Sequence, residues 1–127
     1  MEKGIIFGTF DVWHTGYALM IEEARRYCDY IVVGLQQENS SKKLVHSLSE
    51  RFLVLKSLYS IDEIAVYNTD EDLCNLLRFY KPRYRFLGDD YRDDINKIVG
   101  YDLSGKIIYI DREHGYSTTE YKERISK

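Results

Sequence analysis

Short apolar runs alternate with segments of helical spacing along the whole chain. Residues 3–7 form an apolar run that ends at Gly8, which predicts a strand. Continuous apolarity, without strict alternation, predicts a central parallel strand covered on both faces. Residues 15–28 have helical spacing: Leu19, Met20, Ala24 and Tyr27 are apolar, while Glu22, Glu23, Arg25 and Arg26 make a solvated face. Residues 29–35 read as a second buried strand, so the first three elements form a right-handed β-α-β unit. The polar stretch 36–46 predicts a loop. A second helix is expected over 48–60, capped by Ser47 or Ser49, with Glu50 and Arg51 in its first turn and Leu53, Leu55, Leu58 and Tyr59 supplying apolar material.

The same alternation continues to the end of the chain. Residues 62–67 predict a third strand, and Thr69 caps a helix over 70–80 whose first turn is acidic and which Pro82 ends. Residues 84–87 predict a fourth strand running into Gly88, Asp89 and Asp90. A short helix is expected over 92–101, a fifth strand over 106–110, and a last helix over 118–126 capped by Ser117. Five strands alternating with helices imply one α/β domain over residues 1–127: a Rossmann-like, doubly wound, five-stranded parallel sheet. Ligands of such sheets bind beyond the carboxyl ends of the strands. The glycine-bearing turns at 8–16, 88–90 and 112–119 all fall at that edge.

Composition narrows the partners. With 127 residues, 44% hydrophobic and 31% charged, the chain has the make-up of a soluble globular domain. A net charge of −3 argues against a general nucleic-acid binder. No apolar run approaches the roughly 20 residues that span a bilayer, and no signal-peptide core is present, so cytoplasm is the expected location. Cys28 and Cys74 lie far apart without a CxxC or Cys/His cluster and read as buried free thiols.

The first turn carries the most chemistry. A strand that passes through glycine into a helix N-terminus presents orphan N–H groups and a positive dipole end to an anion. Gly8 permits close backbone approach, Thr9 offers a hydroxyl, and His14 an imidazole donor. Asp11 offers a carboxylate for a divalent cation such as Mg²⁺ beside phosphates. On spacing alone, Asp11 and His14 read equally as local turn and capping residues. Lys42 and Lys43 lie in the polar loop, as phosphate ligands or as solvated lysines, and Arg51 either touches a ligand or pairs locally. Arg112 followed by Gly115, Ser117, Thr118 and Thr119 gives a second anion-binding helix start, of which an ordinary N-cap would explain one hydroxyl. Two such corners suit nucleotidyl transfer, which needs positioning and charge neutralisation more than a covalent nucleophile.

These residues resemble a known family. The stretch Gly8-Thr9-Phe10-Asp11-Val12-Trp13-His14-Thr15-Gly16-Tyr17, the Glu50-Arg51 pair, residues 87–91 and residues 112–119 are similar to the small cytidylyltransferases of the glycerol-3-phosphate cytidylyltransferase type. These belong to the nucleotidyltransferase superfamily marked by an HxGH motif. The resemblance spans essentially the whole chain. It implies that CTP, with Mg²⁺ or another divalent cation, reacts with a small phosphorylated alcohol, glycerol-3-phosphate foremost. The products would be a CDP-alcohol and pyrophosphate. By resemblance, Gly8, Thr9, Phe10, Asp11 and Gly16 surround the nucleotide, His14 donates to phosphate in the transition state, and Lys42 and Lys43 contact phosphates. Asp89 falls near the second substrate and the base. Arg112, Ser117 and Thr118 hold the triphosphate. A homodimer is also implied.

The chain departs from the pattern at four places. Tyr17 stands where the family has its second histidine, Glu113 where it has threonine, His114 where many members have glutamate, and Tyr59 where close relatives carry arginine. Tyrosine is neutral near pH 7, with a reference pKa of about 10, and brings one donor but no positive charge. His114 is then an extra imidazole, expected to replace part of the missing charge. The alternative is a catalytically impaired nucleotide-binding or protein-interaction module that retains the fold.

Overall fold

A computed structural model describes residues 2–13, 15–38, 43–88, 92 and 94–110. Its elements are β1 (Lys3–Gly8), α1 (Thr15–Ala24), β2 (Tyr30–Gln36), α2 (Leu48–Lys56), β3 (Glu63–Tyr67), α3 (Asp70–Tyr80), β4 (Tyr84–Gly88) and β5 (Lys106–Ile110). The five strands form one sheet in the order β3-β2-β1-β4-β5. Every pairing is parallel, as the apolar runs predict.

Alternate residues of β1, β2 and β3 feed two cores. Ile6, Ile31, Val33, Leu35 and Phe86 pack with Ile21 and Ala24 of α1 and Leu55 of α2 on one face. Ile5 and Val32 pack with Leu73, Leu77 and Tyr80 of α3 on the other. The sheet is therefore covered on both sides, which is what makes continuous apolar strands stable here.

The strand order reverses beside β1, and the ladder between β1 and β4 is short there. β1 pairs with β2 through six residues, from Lys3↔Tyr30 to Gly8↔Leu35. Its ladder with β4 covers only Gly4↔Tyr84 and Ile5↔Arg85. Beyond Ile5 this ladder stops, so the ends of β1 and β4 at Gly8 and Gly88 lie at the switch point, the place where doubly wound sheets have their ligand crevice.

Several expectations shift. The regular part of α1 stops at Ala24, four residues before Cys28, because the chain tightens into i→i−3 bonds from Arg26 to Glu23 and from Tyr27 to Ala24. Helix α2 ends at Lys56, with Ser57 as its C-cap. Leu53 and Tyr59 do not join the core: they are 65% and 99% exposed, while Leu55 and Leu58 turn inward. The helix expected over 92–101 is replaced by two 3-10 turns, Ile95–Lys97 and Tyr101–Leu103. Gly100 at φ 74° breaks any regular helix there, and Val99 and Leu103 are drawn onto the α3 core instead. The helix expected over 118–126 lies outside the described residues.

Candidate functional site

Capping fixes where α2 begins. Ser47 accepts from the Glu50 N–H at 3.2 Å, and the Glu50 carboxylate accepts from the Ser47 N–H at 2.9 Å. Those bonds, the Ser47 N–H first, hold the Glu50 carboxyl below its ordinary pKa. This start places His46 and Val45 just before the helix and Arg51 one turn inside it.

Arg51 is only 2% exposed, and its guanidinium is spent on main-chain carbonyls. It donates to Thr9 O at 3.0 Å, Gln36 O at 2.6 Å, Gln37 O at 2.7 Å and, through Nε, His46 O at 3.2 Å. Burial pushes its pKa down, and the nearby Asp11 charge pulls it back up. Of the two roles the sequence leaves open for Arg51, these bonds are the local pairing.

Asp11 is buried at 1% exposure. Its Oδ2 accepts from the Val45 N–H at 2.8 Å and its Oδ1 from the His46 N–H at 2.9 Å. Each oxygen of this buried carboxylate is thus tied to the main chain just before α2, and a carboxylate oxygen can accept more than one partner. Among the described residues no group of three or more His, Cys, Asp or Glu is placed to hold a metal ion.

The turn between β1 and α1 is strained. Phe10 and Val12 adopt φ 49° and 52°, the left-handed region that side chains resist, most of all a β-branched valine. Each such residue costs on the order of 1–3 kcal/mol and persists only where its surroundings over-determine it. Here both side chains are buried, at 4% and 6% exposure, and Asp11 between them is bonded at both oxygens. Gly8 is the position that lets Phe10 fold back, since a Cβ there would lie 3.3 Å from the Phe10 ring.

Tyr17 in the first turns of α1 is packed inward. Its ring centroid lies 5.0 Å from Phe10 and 5.4 Å from Trp13, and the three form an aromatic wedge against the α1–α2 core. Gly16 is buried beside it, and Lys43 is exposed. The structure thus brings together Gly8, Thr9, Phe10, Asp11, Gly16, Tyr17 and Arg51 around one turn. His14, Lys42, Asp89, Arg112, Glu113, His114, Gly115, Ser117, Thr118 and Thr119 lie outside the described residues. The main chain of Gln36, Gln37, Val45 and His46 is the part that sequence reasoning missed. The Ser47/Glu50 capping signal marks the end of the loop, but nothing local links it to Asp11, which is 34 and 35 positions from its two partners.

A parallel, doubly wound sheet with a turn after β1 feeding a helix at its switch point defines the Rossmann-like α/β class of protein. Residues 5–124 match the sequence profile of the cytidylyltransferase-like family. The chain belongs to that family. It is 36% identical over 132 residues to the bifunctional protein HldE of Campylobacter jejuni subsp. doylei, a match covering 98% of this chain and 28% of the relative. The chain therefore spans about 28% of the length of that relative. The fold is shared with a lipopolysaccharide core biosynthesis protein from Thermoplasma volcanium at a TM-score of 0.72 and 22% identity, covering 87% of this chain and 96% of the other. It is also shared with Plasmodium falciparum nicotinic acid mononucleotide adenylyltransferase, solved with NaAD, at a TM-score of 0.63 and 17% identity, covering 98% of this chain and 71% of the other.

Proposed function

We propose that the chain is a cytidylyltransferase that couples CTP to a small phosphorylated alcohol, with glycerol-3-phosphate as the first candidate. The observation that carries this reading is the family match over residues 5–124, which takes in both the 8–17 turn and the 112–119 motif. An acceptor phosphate oxygen attacks the α-phosphorus of CTP in line. A new P–O bond forms, the bond from that phosphorus to the bridging oxygen breaks, and pyrophosphate leaves. His14, Lys42 and Arg112 are assigned to the developing charge on the phosphates. Thr9, Lys43, Asp89, Gly115, Ser117, Thr118 and Thr119 are assigned to substrate binding. Gly8, Phe10 and Gly16 shape the turn. A divalent cation, Mg²⁺ above all, is proposed to accompany CTP, with Asp11 as the carboxylate that would help hold it and neutralise the phosphates. The working unit is proposed to be a cytoplasmic homodimer.

Tyr17 supports a second reading, a nucleotide-binding module of low activity. It stands where the family has a second histidine and brings no positive charge, and losing one preorganised charged donor costs on the order of 10²–10³ in rate; its ring lies 5.0 Å from Phe10 and 5.4 Å from Trp13. Pyrophosphate release separates the readings. CTP and ATP are each offered with glycerol-3-phosphate and other phosphorylated alcohols, together with phosphorylated sugars because a structural neighbour is a lipopolysaccharide core biosynthesis protein. The expected result is release with CTP. CTP binding without release at high enzyme concentration supports the module, and release with ATP alone overturns the CTP assignment. In the same assay His114→Ala lowers turnover if that imidazole compensates for Tyr17, and Tyr17→His is the companion variant. Unchanged turnover in His114→Ala removes the compensation.

A further inference from the structure

We infer that Arg51 and Asp11 are positioning residues that fasten the turn after β1 to the end of β2 and the start of α2, and so hold the nucleotide corner in its binding shape. The inference takes the identity of the ligand from the proposed function; the fastening itself stands on the geometry. One guanidinium bonds to the main chain of three separate segments: Thr9 after β1, Gln36 and Gln37 at the end of β2, and His46 before α2. Asp11 makes the reciprocal tie, from the β1 turn to the N–H groups of Val45 and His46. His46 is thus held twice, by its N–H to Asp11 and by its carbonyl to Arg51.

The strained residues sit between these ties. Phe10 and Val12 flank Asp11 in the left-handed region, so the turn relaxes once the ties are cut. Charge alone cannot replace Arg51. A lysine ammonium is a compact donor without the planar fork that reaches several carbonyls at once. Arg51→Lys therefore keeps the charge and loses the geometry. Arg85 supplies a matched control. It is also buried, at 4% exposure, but donates to Val99 O and Ser104 Oγ on the α3 side of the sheet.

The test measures amide hydrogen exchange and CTP affinity on the full chain, with wild type, Arg51→Lys and Arg85→Lys compared. In Arg51→Lys, exchange at Val45 and His46 is expected to rise about tenfold or more relative to amides of α3, since the opening is local. CTP affinity is expected to fall about tenfold or more, while Arg85→Lys stays within about twofold of wild type on both readouts. A uniform rise across α3, or a loss of affinity no larger than that in Arg85→Lys, overturns the inference. Should Arg51→Lys not fold, Asp11→Asn, which keeps the shape and removes one acceptor, is read by the same criteria. Should the wild type bind neither CTP nor ATP, the proposed function falls, and the exchange pattern alone decides the positioning role.

Discussion

Glu63 shows how single residues tie the sheet together at the end away from the crevice. Tyr30 donates to its Oε1 at 2.7 Å, Tyr80 donates to its Oε2, and the Lys3 ammonium lies over both rings at 6.0 and 5.8 Å. The bond from Tyr80, then that from Tyr30, holds the Glu63 carboxyl below its ordinary pKa. The hydrogen bond to Glu63 raises the Tyr30 pKa, while burial first and Glu63 second raise that of Tyr80. A depressed carboxylate contributes stability above its unfolded pKa of about 4.3, and this is lost as pH falls through the folded value. A raised tyrosine contributes stability below about 10, lost as pH rises through its folded value. Tyr80→Phe is therefore expected to cost about 1–2 kcal/mol at pH 7. The gap to wild type should narrow both in acid and above pH 10. Urea midpoints across pH check this, and a gap that stays constant would refute the linkage.

At the scale of elements, ends matter more than middles. The N-cap of α3 was legible as Thr69 and that of α2 as Ser47 or Ser49: in the fold Ser47 and Thr69 close capping boxes with Glu50 and Asp72. A capping side chain bonds only three residues away, so its signal is local. Helix α3 and strand β5 also fall where the pattern puts them, because apolar spacing and Pro82 mark their limits. The far end of α3 carries a cost instead. Lys81 closes it at φ 47°, a conformation unfavourable for a residue with a Cβ and natural for glycine. Lys81→Gly is expected to stabilise the protein by about 0.5–1 kcal/mol, read as a higher melting temperature. A lower melting temperature would mean that the Lys81 side chain contributes more than its backbone costs.

At the scale of the whole molecule, the crevice depends on how closely β1 and β4 meet below it. Gly4 is the meeting point. A Cβ there would lie 2.5 Å from the Phe86 ring and 2.6 Å from the Cys28 sulfur, both buried. Gly4→Ala is expected to destabilise the fold by about 1–3 kcal/mol, since neither neighbour has space to withdraw. A urea titration measures it. A variant as stable as wild type would show that β4 and the segment at Cys28 give way, and that the junction is looser than its packing implies.

The sequence by itself determined the class of fold, its five strands and the helices over α1, α2 and α3 in chain order. Those features rest on interactions between near neighbours: apolar periodicity, caps, and glycine or proline punctuation. Tertiary structure alone decided what Asp11, Tyr17 and Arg51 do. In the sequence Asp11 and Arg51 read either as ligands or as locally paired residues, and Tyr17 as a departure from the second motif histidine. In the fold, Asp11 bonds to main-chain groups 34 and 35 positions away, Arg51 to carbonyls 5 to 42 positions away, and the Tyr17 ring packs at a tilt against Phe10 and Trp13. The reason is physical. A polar side chain seeks whatever partner the fold leaves unsatisfied, and that partner is set by loop closures no local pattern records.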